Sequence, residues 1–316
     1  MMPDTLFAHS HARPYRIGCI GEALIELYGF DFTVGTARVG FAGDTLNTAT
    51  YLARLLPHAG YRVDYVTNLG CDAFSDRMIE TWQREGIGTG LIGRHPQRSP
   101  GIYLISLDCD GERSFSYWRD QSAARTLFGG VGIGLDDLGQ FDLIYLSGIT
   151  LAILPASVRA ALIARLAVLR RAGTLTVFDT NYRPALWTSS EEARSAFGAM
   201  TEASSVVLPS LDDERRFDPG LDAGAVLQRL HRCGTAEAVA KDGANGATLL
   251  FDGQIQGTSL ARATSVVDTT GAGDAFNAGY LAARLEGKPP VQAAEAAHSL
   301  ALRVLAHPGA ILPARD

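Results

Sequence analysis

Apolar residues along this chain gather into short continuous runs more often than into strict alternation. RIGCI (16–20), VDYVTNLG (63–70), LIYLSG (143–148), TLTVFD (174–179), SVVLP (205–209) and AEAVAK (236–241) each read as a buried strand. Between them the spacing changes to the helical period. It predicts one helix over 45–56, stopped by Pro57, and another over about 73–85. A third spans 155–172, with Pro155 at its start, Arg170 and Arg171 in its last turn and Gly173 beyond. Two more, about 274–284 and 291–305, close the chain. Strand–helix units repeated through short connections predict an α/β fold with a doubly wound, mostly parallel sheet.

One region breaks this rhythm. GIYLISLD (101–108) and ERSFSYW (112–118) read as two strands around the turn Cys109-Asp110-Gly111. With residues 29–43 they are expected to form a small accessory β-sheet, a lid outside the main one. The reading is therefore one α/β domain over 14–316, with lid segments at about 29–43 and 99–120. Residues 1–13 are expected to be a loose tail with His9 and His11 exposed. No repeat of 20–50 residues, low-complexity tract or flexible linker interrupts the pattern.

Composition adds mostly exclusions. A net charge of −6 over 316 residues makes no basic field, so nucleic acid is not an expected partner. The sequence has neither a signal-type apolar segment near its start nor a run long enough to span a bilayer. The expectation is a cytosolic protein with no membrane partner. Cys19, Cys71, Cys109 and Cys233 lie tens of residues apart without a C-x-x-C, which reads as isolated reduced thiols.

The densest chemistry lies in VVDTTGAGDAFNAGY (266–280). Gly271, Ala272 and Gly273 allow a tight turn at a helix start, where backbone N–H groups face an anion. Such donors suit the charge that builds on a transferring phosphoryl group. Asp274, in the first helical turn, can take a proton from a hydroxyl attacking phosphorus. Aspartate is equally a good helix N-cap, and G-A-G-D alone leaves both readings standing. AKDGANGA (240–247) ends a strand with Lys241, Gly243 and Gly246, and reads either as a nucleotide contact or as a tight hairpin turn. No P-loop occurs. GTGLIG (88–93) matches G-x-G-x-x-G, but it follows a helical pattern and does not open one, so no dinucleotide site is expected there.

The 266–280 stretch resembles the C-terminal signature of the PfkB, or ribokinase-like, carbohydrate kinases, D-T-x-G-A-G-D-x-F-x-x-G. The resemblance implies Asp274 as catalytic base, with Gly271, Ala272 and Gly273 as the anion hole. It also implies ATP and Mg²⁺ as cofactors, and leaves open a monovalent cation near that loop. AKDGANGA resembles the family's K-x-G-x-x-G nucleotide segment, which implies nucleotide contacts from Lys241, Gly243 and Gly246. SLDDE (210–214) stands where the family carries N-x-x-E, with Ser210 for Asn and Asp213 for Glu. That implies Ser210 at the nucleotide and Asp213 near the metal, through water, with Glu214 the adjacent alternative. Lid strands in this family often pair between subunits, which implies a homo-oligomer.

Five further blocks, GEALIEL (21–27), FAGDTLNTA (41–49), SYWRDQSAA (116–124), LSGITLAIL (146–154) and DTNYRPALW (179–187), resemble the 2-keto-3-deoxygluconate kinase branch. That branch phosphorylates the 6-hydroxyl of a sugar acid, whose product feeds Entner–Doudoroff-type aldol cleavage. The resemblance implies a sugar pocket lined by Gly43, Tyr103 and Tyr117, with Asn47 supporting the loop. A keto-sugar acid also carries a carboxylate. Arg183 follows a predicted strand at the carboxyl end, where open α/β sheets bind ligands, and Arg119 follows the second lid strand. An arginine fork holds a carboxylate bidentately, although each arginine taken alone reads equally as a surface ion pair. The rivals are a neutral-sugar kinase (fructokinase or ribokinase) and a non-catalytic sugar sensor on the same fold. No residue is assigned to telling gluconate from galactonate.

Overall fold

Runs of buried apolar residues need cover on both faces, and the chain order supplies it. The computed structural model describes residues 6–7, 13–107, 113–130, 132–258, 260–263 and 265–313. The chain begins β1 (Tyr15–Ile20), β2 (Leu24–Asp31), β3 (Thr36–Ala42), α1 (Asp44–Leu55), β4 (Tyr61–Gly70), α2 (Ala73–Arg84) and β5 (Ile92–His95). There follow β6 (Gly101–Leu107), β7 (Arg113–Trp118), β8 (Leu143–Ser147), α3 (Gly148–Ile153), α4 (Ala156–Arg171), β9 (Leu175–Asp179) and α5 (Ser190–Glu202). The rest is β10 (Val206–Val207), α6 (Leu211–Phe217), α7 (Ala223–Arg232), β11 (Glu237–Lys241), β12 (Ala247–Phe251), β13 (Gln254–Gly257), α8 (Ala272–Leu285) and α9 (Pro290–Leu305).

Nine strands form the main sheet, in the order β13-β12-β11-β10-β9-β8-β1-β4-β5. All neighbours from β11 to β5 are parallel. Among the described residues only the β11–β12 and β12–β13 pairings of this sheet are antiparallel. One face packs Ile17, Tyr65, Val177 and Val239 against Leu46 of α1, Leu281 of α8 and Ala297 of α9. The other packs Ile20, Ile144, Phe178 and Val207 against Leu162 of α4, Phe197 of α5 and Leu227 of α7. This is the doubly wound α/β arrangement that the apolar runs predict. It brings the carboxyl ends of β1, β8, β9 and β11 to one edge, with Ser147 in register with Asp179.

A separate four-stranded sheet, β3-β2-β6-β7, pairs β2 with β6 in parallel and the others antiparallel. Leu24, Ala42, Tyr103 and Ile105 make its small apolar core. Phe32 (91% exposed), Val39 and Trp118 stand uncovered in this chain. The sheet starts at Leu24, not at 29, because only Gly21–Ala23 separates β1 from β2 and one apolar run covers the change of sheet.

Other differences are local. The expected strand 205–209 shortens to Val206–Val207, and α3 occupies a stretch given no helix in advance. β12 and β13 extend the sheet beyond the predicted runs. GTGLIG runs into β5 and opens no helix. The expected turn at Cys109-Asp110-Gly111, the tail histidines His9 and His11, and Cys109 lie outside the described residues; Cys19, Cys71 and Cys233 are free thiols. Among the described residues no helix is long and apolar enough to cross a membrane.

Candidate active site

The start of α8 is held open by glycine. Gly271 caps the helix with φ +74°, in the left-handed region, and an added Cβ would lie 2.6 Å from Cβ of Ala310. A Cβ on Gly273 would meet open space. The loop before them is pinned by Asp268, which accepts hydrogen bonds from the Thr270 amide (3.0 Å), the Thr270 hydroxyl (2.8 Å) and the Gly309 amide (2.5 Å). Arg113, on β7 of the small sheet, pairs with the same carboxylate. The Ala272 amide makes only a long turn bond, 3.4 Å, to the Thr269 carbonyl.

Asp274 is the third residue of α8 and does not cap it. Its Oδ2 accepts a hydrogen bond from Nδ2 of Asn47, 2.8 Å away on α1, so Asn47 meets the carboxylate itself. Burial, and then the negative charge of Asp44, raises the Asp274 carboxyl well above the ordinary carboxylate range. A carboxylate of this kind is poised to hold a proton taken from a substrate.

Lys241 lies in a network that local sequence reading does not reveal. Its Nζ donates to Oδ1 of Asp179 (3.1 Å) and to Oδ1 of Asn277 (2.8 Å). Asn277 Nδ2 in turn donates to Oδ2 of Asp179 (2.9 Å) and to the Tyr145 hydroxyl (3.0 Å). Three elements, β9, β11 and α8, are thereby tied together at the sheet edge. The segment from Gly243 (φ +51°) to Gly246 (φ +92°) is a hairpin turn, since β11 and β12 pair antiparallel around it.

Ser210 precedes α6 and bridges to Lys241 through the backbone. Of the three carboxylates that follow, Asp212 is exposed and near Arg215, and the other two separate cleanly. Glu214 accepts from Arg229 Nη2 on α7, 2.7 Å away. Asp213 Oδ2 accepts from the Tyr182 amide at 3.1 Å, and Arg183 Nη1 lies 3.5 Å from its Oδ1. Burial raises the Asp213 carboxyl, partly offset by Arg183. Among the described residues no group of three or more His, Cys, Asp or Glu side chains is arranged to hold a metal ion.

Gly43 caps α1, and a Cβ there would fall 2.2 Å from the Glu22 carbonyl oxygen, so only glycine fits. Tyr103 is buried with its hydroxyl donating to Glu26, and its ring stacks on Tyr117 at 5.6 Å. Tyr117 is half exposed. Arg119 is buried and paired with Glu22: its Nε donates to Oε2 at 2.9 Å, and its Nη2 to the same oxygen. The Arg119 guanidinium lies 5.9 Å from the Tyr117 ring centre. The Arg183 side chain, 53% exposed, stands beside Asp213. Burial raises the Tyr117 hydroxyl, and the charges of Arg119 and Arg183 both pull it back.

Glu22, Asp44, Asp179 and Asn277 are among the residues here not singled out from the sequence, as is Asn181, whose Nδ2 donates to Asp44 Oδ2 at 2.8 Å. Each lies inside a stretch already marked as chemical, and Glu22 and Asp44 directly follow glycines at the end or start of an element. That combination, an acid next to a conformationally demanding glycine, is the available signal.

The chain matches the model of the pfkB family carbohydrate kinases over residues 16–316. It is 42% identical to the 2-dehydro-3-deoxygluconokinase of Dickeya dadantii, over 94% of this chain and 96% of that one. It is 41% identical to the protein of the same name from Haemophilus influenzae, over 94% and 95%. Among solved structures, a PfkB protein from Polaromonas sp. JS666 superposes with a TM-score of 0.81 at 24% identity, covering 94% of this chain and 98% of the other.

Proposed function

Because the chain belongs to the pfkB family of carbohydrate kinases, we propose that it transfers the γ-phosphoryl group of ATP to the 6-hydroxyl of 2-dehydro-3-deoxy-D-gluconate. The observation that carries this is Asp274, a buried carboxylate in the first turn of α8, directly after a glycine-built anion loop. The two relatives at 41–42% identity supply the substrate class.

In this reading the substrate oxygen attacks phosphorus while Asp274 takes its proton, and the bond from phosphorus to ADP breaks with the charge leaving on ADP. The amides of Gly271, Ala272 and Gly273 face the charge on the transferring group. Lys241, Ser210 and the Gly243–Gly246 turn hold the nucleotide from the β11 side. Bound Mg²⁺ would neutralise phosphate charge, and Asp213 would hold it through water; a single carboxylate suits an ion that keeps most of its hydration shell. Glu214, spent on Arg229, is not needed. ATP as co-substrate fits a cytosolic enzyme, and the product, a 6-phospho-2-keto-3-deoxy acid, is chemically set up for Entner–Doudoroff-type aldol cleavage.

The substrate carboxylate goes to Arg183 and to the part of Arg119 outside its pairing with Glu22, with Gly43, Tyr103 and Tyr117 forming the wall. Arg183→Ala is expected to raise KM for the keto acid by about 10–100-fold, the worth of a charge-assisted hydrogen bond. With fructose or ribose the same variant changes little. An unchanged KM for the keto acid would remove Arg183 from this role.

The overall test is ATP consumption with 2-keto-3-deoxygluconate, fructose and ribose in parallel, each with Mg²⁺ and with EDTA. Turnover is expected with the keto acid, lost in EDTA and restored by excess Mg²⁺. Preference for fructose or ribose would instead make this a neutral-sugar kinase.

The uncovered apolar side chains of the small sheet support a homo-oligomer formed through it. Sizing by light scattering is expected to give a dimer or larger. Phe32→Asp combined with Val39→Asp is expected to shift it toward monomer; a monomeric parent protein would refute this assembly.

A further inference from the structure

Asp44 has a partner set that a helix start alone does not require. It is the first residue of α1, directly after Gly43, and is only partly covered. Asn181, buried in the loop after β9, donates from Nδ2 to Asp44 Oδ2 at 2.8 Å. Asn181 does so with φ +28°, a conformation uncommon outside glycine and kept where its surroundings demand it. The Ser147 hydroxyl supports the same carboxylate.

The surroundings are electrostatically unfavourable for a merely structural acid. Asp179 and Asp274 both bear on Asp44, while Arg119 offsets them. An asparagine would begin the helix and meet Asn181 without adding a third negative charge beside Asp179 and Asp274. A carboxylate is the better choice only where strong acceptors are wanted, because it receives up to about four hydrogen bonds and donates none.

Position says what it would accept from. Asp44 and Asn47 are three residues apart on α1, hence on one helix face, about 4.5 Å apart along the axis. Asn47 touches the base Asp274, while on the other flank Gly43, the residue before Asp44, packs against the Glu22 backbone, and the Glu22 side chain holds Arg119. A substrate running from the arginines to the base therefore passes Asp44 with its middle carbons. Given the substrate reading above, on which this rests, we propose that Asp44 accepts hydrogen bonds from the chain hydroxyls between the keto-acid end and the phosphorylated end. It is thereby the residue that distinguishes the configuration at C4.

The test measures kcat and KM of the parent enzyme and of Asp44→Asn with three acids: 2-keto-3-deoxygluconate, its C4 epimer 2-keto-3-deoxygalactonate, and the analogue lacking the 4-hydroxyl. Asp44→Asn is expected to lower kcat/KM for the best substrate by about 10–100-fold, mainly through KM. It should bring the two epimers to within about threefold of each other and leave the 4-deoxy acid within about threefold of its parent value. The same fractional loss with all three acids, or an unchanged epimer ratio, overturns the proposal. Should the variant not fold, the parent enzyme decides: a preference below about tenfold for the 4-hydroxy over the 4-deoxy acid overturns it equally. Fructose is run alongside, so a wrong substrate class appears in the parent enzyme alone, whereas a wrong role for Asp44 appears only in the hydroxyl-dependent ratios.

Discussion

Replacing Asp274 by asparagine is expected to lower kcat by at least about 10²-fold while ATP still binds, since general-base catalysis typically contributes about 10²–10⁴. The change is nearly isosteric, and the new side-chain oxygen can still accept from Asn47 Nδ2. What disappears is the ability to receive the hydroxyl proton. Nucleotide titration by calorimetry separates that loss from lost binding. The parent enzyme should also show the base in its pH profile. Burial and the nearby Asp44 raise the Asp274 carboxyl, so at low pH it is protonated and cannot act. The logarithm of kcat/KM is expected to climb with pH until the group ionises, then level off, with the bend above the usual carboxylate range. Near-parental turnover in Asp274→Asn would end the assignment.

The second large effect is on stability and arises at the other end of the same helix. Glu237, at the start of β11, accepts from Nε (2.9 Å) and Nη2 (2.8 Å) of Arg284 and from the Tyr280 hydroxyl (2.6 Å). All three side chains are buried, and Arg284 Nη1 also donates to the Lys288 carbonyl at 2.7 Å. Glu237→Ala leaves a buried guanidinium without its carboxylate, a change that costs about 3–5 kcal/mol. Melting is expected to fall by on the order of 10 °C. Pairing it with Arg284→Met should return much of the loss, because an apolar pair in place of a buried ion pair is often neutral. A loss below about 1 kcal/mol in Glu237→Ala would show that the pair is not an anchor. The site depends on this anchor. α8 begins at the glycine loop and carries Arg284 in its last turn, while β11 begins at Glu237 and ends at Lys241, so one buried pair helps hold the Asp274 and Lys241 ends in register.

How much was legible follows the range of each interaction. The buried strands were readable because a strand in the middle of a parallel sheet must be apolar on both faces, a constraint written into consecutive residues such as LIYLS and LTVFD. α1 was readable because Pro57 bounds it, and α8 because its glycines must precede it. β12 and β13 were not. QIQG, at the sheet's edge, is exposed throughout and has no apolar period to display. The start of β2 was hidden for the opposite reason, an apolar run passing from one sheet to the next within a few residues.

Residue types and local spacing made Asp274 and its glycines, Lys241 and the two arginines candidates, because tight turns, helix starts and strand ends are local events; the resemblance to the PfkB signature chose among their readings. Partners were decided by the tertiary structure alone. Asn47 and Asp274 are 227 residues apart in sequence, Glu22 and Arg119 are 97 apart, and Asn181 and Asp44 are 137 apart. No local pattern records which acid will meet which amide or guanidinium. Packing α1 beside α8, and β9 beside β11 through β10, brings these groups within hydrogen-bond reach. Only that approach makes Arg119 a paired side chain, leaves the Arg183 side chain half exposed, and brings Asn181 to Asp44.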